Sequence, residues 1–141
     1  METATTSQAF IDHLKARNFE QLADTLAPDA VARFLLPRGA QETAGADAIA
    51  HRFEGWFGGA TSFVVLSTGN EPVGGRSLLH WRFSLSRDGR STEVIDQVAF
   101  VDVGPDGIHR LDLLCSGFLP AAEATAGAAL ACSVRKQPVL E

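Results

Sequence analysis

Near the start of the chain apolar residues recur at a spacing close to the helical period, as Phe10, Ile11, Leu14, Phe19, Leu22, Ala23 and Leu26. The spacing breaks at Arg17 and Asn18, so it predicts two consecutive helices between Thr6 and Leu26. Thr6 or Ser7 can cap the first by accepting backbone N–H bonds and Asn18 can cap the second, which Pro28 keeps from continuing. Val31 to Leu36 is a short apolar run ended by Pro37 and Gly39, the pattern of a strand. The helical period returns from Ala46 to Phe57 through Ile49, Phe53, Trp56 and Phe57, and Gly58-Gly59 closes that helix. Four runs rich in Val, Leu, Ile, Phe and Trp follow, Ser62 to Ser67, Ser77 to Ser86, Thr92 to Val103 and Ile108 to Phe118.

Asp88-Gly89 and Gly104-Pro105-Asp106-Gly107 supply turn chemistry between these runs, which predicts an antiparallel meander. Helices first and a meander afterwards is the α+β arrangement, with helices on one face of the sheet. Residues 1–120 are expected to form one domain, and the Ala-rich segment 121–141 a tail that is a short helix or disordered. At 141 residues the chain is long enough for one real core and too short for two.

In a hairpin closed by a two-residue Asp88-Gly89 turn, Trp81 faces Asp96 and Phe83 faces Val94, and alternation sets Asp96, Val98 and Phe100 on one face. A bulge that slips this register by one brings His80 or Arg82 beside Asp96 instead, an acid/base or ion pair suited to hydrolase-like chemistry. In the last run, alternation turns Leu111, Leu113 and Cys115 inward and Asp112 away. His13 and His51 sit among polar neighbours on helices and are expected in solvent, and His109 with Arg110 simply follows a turn.

The net charge of −5 and the lack of a Lys/Arg run argue against nucleic acid or an anionic membrane as partner. No apolar run approaches the ~18 residues of a membrane span, and the first residues lack a basic region followed by an apolar stretch, so a cytoplasmic location is expected. Cys115 and Cys132 have no CxxC context and are expected to be free thiols. Metal, nucleotide and other cofactors are not implied, because no metal-spaced His/Asp cluster, HExxH, GxSxG or phosphate-binding glycine motif is present.

The element order, with NFEQLADTLAPDAV, GADAIAHRF and EVIDQVAFVDVGPDGIHRL, resembles the nuclear transport factor 2-like superfamily over about residues 5–118, in its SnoaL-like and ketosteroid-isomerase-like branch. The resemblance implies a cone-shaped roll in which N-terminal helices pack on a strongly curved antiparallel sheet around a pocket. Members include isomerases, polyketide cyclases, epoxide hydrolases, dehydratases and non-catalytic binding or association modules. VIDQVAF is similar to the isomerase segment that carries an oxyanion-hole aspartic acid, which makes Asp96 the candidate catalytic acid/base. The same alignment puts Phe10 where the isomerase has its phenol donor, and Phe34 or a residue one or two beyond it at the carboxylate base. The chain has no Tyr, so steroid isomerisation by that route is not expected.

On this scaffold Phe10, Leu14, Phe34, Phe53, Trp56, Trp81, Phe83, Val98, Leu111, Leu113 and Cys115 are the candidate lining of a pocket for a small apolar molecule. The resemblance also implies a homodimer formed through the outer sheet face, for which Ile95 and Leu114 are apolar candidates. Two functions follow. One is a cofactor-independent isomerase, cyclase, dehydratase or hydrolase using Asp96; the other is a non-catalytic ligand-binding or dimerisation module.

Overall fold

The computed structural model describes residues 2–121; the expected tail and Cys132 lie outside the described residues. Two helices, α1 (Glu2–Lys15) and α2 (Phe19–Asp24), are followed by strands β1 (Leu26–Leu36) and β2 (Gly39–Ala44) and helix α3 (Ala46–Phe57). Strands β3 (Ser62–Val73), β4 (Arg76–Ser86), β5 (Glu93–Gly104) and β6 (Gly107–Cys115) come next, and β7 (Leu119–Pro120) adds a short pairing to the start of β5. No helix among the described residues is long and apolar enough to cross a membrane.

The sheet runs β2-β1-β6-β5-β4-β3 and is open at both edges. Its β3 to β6 part is the expected meander, but β1 inserts parallel to β6, so the curved sheet is mixed rather than wholly antiparallel. β2 escapes sequence patterning because GAQETA is almost entirely exposed and pairs with β1 alone, so no alternation marks it. β1 begins at Leu26 rather than Val31 because Leu26 already pairs with Ile108, and the register slips between Leu26 and Val31, a stretch that accommodates Pro28.

The helix ends also differ from expectation. α1 starts before Thr6, which places Ser7 inside the helix, fully buried, where its Oγ finds no hydrogen-bond partner among the described residues. Asn18 holds the cap position of α2, yet its side chain donates to Gln21 and makes no capping bond. The break between α1 and α2 falls at Arg17, whose φ of 56° is left-handed. Its guanidinium donates to the Phe57 and Ala60 carbonyls at the end of α3 and lies over the Phe63 ring, which ties the first two helices to the third.

Between helices and sheet the core is a lattice of aromatic rings. Phe53 of α3 stands edge-on to Phe10, Phe34, Trp56 and Trp81 at centroid distances of 5.6, 6.0, 5.2 and 6.2 Å, and Phe57 does the same to Phe83 at 5.2 Å. These are the offset geometries that the ring quadrupole favours, and they add to the large apolar area each ring buries.

Candidate functional site

The register of the β4–β5 hairpin decides what faces this core. The strands are joined by the six residues from Arg87 to Thr92, not by a two-residue turn, and Arg82 pairs with Asp96, Trp81 with Gln97 and Phe83 with Ile95. Opposed residues in an antiparallel pair share a face, so this register buries Leu79, Trp81, Phe83 and Leu85 together with Ile95, Gln97, Ala99 and Val101. Pairing Trp81 with Asp96 would instead have carried a carboxylate into the core and turned Ile95, Ala99 and Val101 out to water. Desolvating an unpaired charge costs far more than burying a neutral amide that has partners.

Three expectations are corrected by this register. Asp96 lies on the outer face, 3.7 Å from His80 Nε2 and 3.5 Å from Arg82 Nε, the slipped arrangement considered above. Val98 shares that outer face and does not line the interior. Ile95, expected outward, is fully buried. Phe10, Leu14, Phe34, Phe53, Trp81, Phe83, Leu111, Leu113 and Cys115 are buried as expected, and Trp56 is half-buried at the edge of the ring lattice.

Gln97 is the residue that sequence reasoning missed. Its Oε1 accepts from Trp81 Nε1 at 2.6 Å, its Nε2 donates to Cys115 Sγ at 3.2 Å, and the Gly117 N–H donates to the same sulfur at 3.3 Å. The chain satisfies a fully buried amide and an indole N–H, which would otherwise each carry a desolvation penalty of roughly 1–3 kcal/mol. Gln97 is adjacent to Asp96 in VIDQVAF, so only the register separates the two.

Cys115 opens onto a hollow of about 360 Å³ lined by Leu36, Pro37, Arg38, Gln41, Trp56, Ile95, Cys115, Gly117 and Phe118. We call it the rim pocket, because it sits where the β1–β2 turn, α3 and the end of β6 meet. Its walls are mainly apolar, and they include the Cys115 thiol and the exposed residues Arg38 and Gln41. Two larger hollows of about 550 Å³ each border α2 and α3, but they are open and lined by solvated groups such as Glu20, Asp24, Asp47 and Glu54. The buried polar side chains of the described residues are Ser7, Thr25, Ser77 and Gln97, so the interior holds neutral donors and acceptors and no carboxylate or imidazole. Among the described residues no group of three His, Cys, Asp or Glu is placed to hold a metal ion.

The outer face has its own organisation. Rows across the sheet align His80, Val98, Leu114 and Leu35, then Leu78, Phe100, Asp112 and Arg33. Leu35 and Leu114 are more than half exposed, and with Val98, Phe100 and Ala40 they line a groove of about 400 Å³. At one end Arg76 donates to Asp102 at 2.7 Å and to Asp112 at 3.1 Å, beside the Phe100 ring. Burial opposes the Arg76 charge, but hydrogen bonds and attraction from those two carboxylates outweigh it and raise its pKa above the usual arginine value. His51 is exposed, as expected, whereas His13, also expected in solvent, is half-buried; His109 is exposed.

Comparison with solved structures gives the same fold at low sequence identity. A cystatin-fold protein from Novosphingobium aromaticivorans matches with a TM-score of 0.64 at 19% identity, over 80% of this chain and 97% of that one. A candidate polyketide cyclase from Xanthomonas campestris pv. campestris matches with 0.61 at 18% over 80% and 90%. An epoxide hydrolase of M. tuberculosis, of the LEH-like type, matches with 0.61 at 16% over 82% and 83%. No curated protein matches the sequence. The family model of the SnoaL-like domain matches residues 7–109, and with the helices, the curved sheet and the element order described above, the chain belongs to the SnoaL-like domain family.

Proposed function

We propose that the protein binds a small apolar molecule, aromatic by preference, in the rim pocket, with the Trp81–Gln97–Cys115 chain as its rigid floor. The observation that carries this reading is the pocket's position: half-buried Trp56, Phe118 and Leu36, with buried Ile95, surround a thiol whose sulfur is held by two hydrogen bonds. The cone behind it is filled by interlocking rings, which leaves the rim as the place for a ligand. Structural neighbours named as a polyketide cyclase and an epoxide hydrolase support a small-molecule role for the fold. Because no carboxylate or imidazole of the described residues is buried inside, the binding module is favoured over acid/base catalysis in the cone. Acid/base work by Asp96 would have to take place on the outer face, with His80 as its neighbour.

The test uses Cys115 as a reporter. A panel of one- and two-ring aromatic compounds is screened for a saturable rise in Tm, since a ligand of the native state stabilises it by mass action. Binders are then assayed for slowing of iodoacetamide alkylation at Cys115, with peptide-resolved mass spectrometry separating it from Cys132. We expect slowed alkylation, and loss of both effects in Trp56→Ala. Stabilisation that leaves the Cys115 rate unchanged would place the ligand elsewhere and defeat the reading.

A second reading rests on the outer face. We propose that two copies pair there, covering the exposed Leu35 and Leu114 and the Val98–Phe100 stripe between them, with the Arg76–Asp102–Asp112 and Arg82–Asp96 ion pairs at the margins. An apolar centre with a charged rim is the usual anatomy of such an interface. Native mass spectrometry at micromolar concentration should then give a dimer for the native chain and a monomer for Leu114→Glu. A monomer for the native chain rules it out.

A further inference from the structure

We infer that the ligand of the rim pocket is an organic acid, a small aromatic or alicyclic carboxylate whose ring packs on Trp56 and whose carboxylate is held by Arg38 with Gln41. The inference rests on the rim-pocket reading and adds the chemical class.

Its first support is the charge of the lining. The chain has 17 Asp and Glu against 12 Lys and Arg, yet among the described residues the only charged one lining this pocket is Arg38. Other arginines nearby are engaged. Arg87 is held by Glu93, by the Trp56 carbonyl and by the Phe118 ring, and Arg33 lies against Glu42. Arg38 makes no ion pair or hydrogen bond with any described residue. Arg52, without a carboxylate partner among the described residues, lies 5.4 Å from the Trp56 ring centroid and adds a second positive charge near the aromatic wall.

Placement is the second support. Leu36 pairs with Gly39, so Pro37 and Arg38 are the two central residues of a tight turn between β1 and β2. The proline ring limits the backbone there, and a Cβ on Gly117 would come within 2.8 Å of Pro37 Cγ, so the turn is seated on the pocket wall. A guanidinium on an anchored turn gives up less freedom on binding than one on a mobile loop. Its planar fork can donate to the two oxygens of a carboxylate side by side, next to the apolar wall on which the ring would pack.

The experiment compares 2-naphthoate with 2-naphthamide, which share ring and shape and differ in charge, by isothermal titration at neutral pH. The native protein should bind the acid about tenfold or more tightly than the amide, as a charge-assisted pair implies. Arg38→Gln, an exposed turn position whose folding is checked by its melting curve, should bring the acid down to the amide's affinity and leave the amide unchanged. Equal binding of acid and amide by the native protein overturns the acid class and leaves the pocket standing. A preference that survives in Arg38→Gln overturns the role of Arg38. If neither compound binds or slows Cys115 alkylation, the inference fails, and the panel of aromatic compounds decides separately whether the pocket reading falls with it.

Discussion

Trp81→Ala should destabilise the protein by about 3–5 kcal/mol, a fifth or more of the roughly 5–15 kcal/mol that holds a domain folded. Trp81 is fully buried, packs on Phe10 and Phe53, and donates its indole N–H to Gln97. Truncation opens a large cavity between helices and sheet and also leaves the Gln97 carbonyl without its donor, so two penalties act together. Trp81→Phe shifts the balance toward the second, because it keeps the larger part of the ring volume while removing the N–H, and it should cost less than Trp81→Ala. Urea unfolding followed by circular dichroism would give both values. A loss below about 1 kcal/mol for Trp81→Ala is incompatible with a packed cone.

Gly107→Ala should cost about 2–4 kcal/mol, although it adds a single methyl group. Gly107 has φ +118°, and a Cβ there would lie 2.7 Å from the Thr25 carbonyl oxygen and 3.2 Å from the Ala27 nitrogen. Both are backbone atoms, so neither can swing aside. Relief requires β6 to move off the start of β1, stretching the bond from the Ile108 N–H to the Thr25 carbonyl that anchors the exit of α2. Gly74→Ala is the comparison: its φ of +60° is also left-handed, but nothing lies within 4 Å of the added carbon, so only the backbone strain of about 1–2 kcal/mol remains. The denaturant midpoints should therefore fall in the order native, Gly74→Ala, Gly107→Ala, with unchanged m values. Equal losses at the two glycines would mean that the contact with Thr25 is absent.

The parts of the fold that are legible in the chain are those where burial is one-sided. α3 and β4 to β6 carry apolar residues at regular spacing because one face of each meets the core, whereas β3, with no fully buried residue, is marked only by its β-branched run, and the boundaries fall within a few residues of expectation except at the far end of β3. β2 is illegible because neither of its faces is buried, and the parallel pairing of β1 with β6 is illegible because a strand's own pattern does not name its neighbour. The candidate site was half legible. Trp56, Cys115 and most of the ring residues are where alternation and helical spacing put them, whereas Arg38 and Gln41 belong to an exposed turn and edge whose residues carry no pattern at all.

Asp96 and Gln97 mark the boundary between the two kinds of information. The sequence by itself determined that one of these adjacent polar residues would face inward, because a strand alternates and its apolar neighbours must choose a side. It could not decide which, since that depends on whether Arg87 to Thr92 forms a two-residue turn or a longer loop. The tertiary structure decided it by matching the apolar set of β4 to Ile95, Ala99 and Val101 on β5. That choice leaves a neutral amide to be satisfied by Trp81 and Cys115, and it puts the carboxylate of Asp96 in reach of water, His80 and Arg82, where its charge costs little.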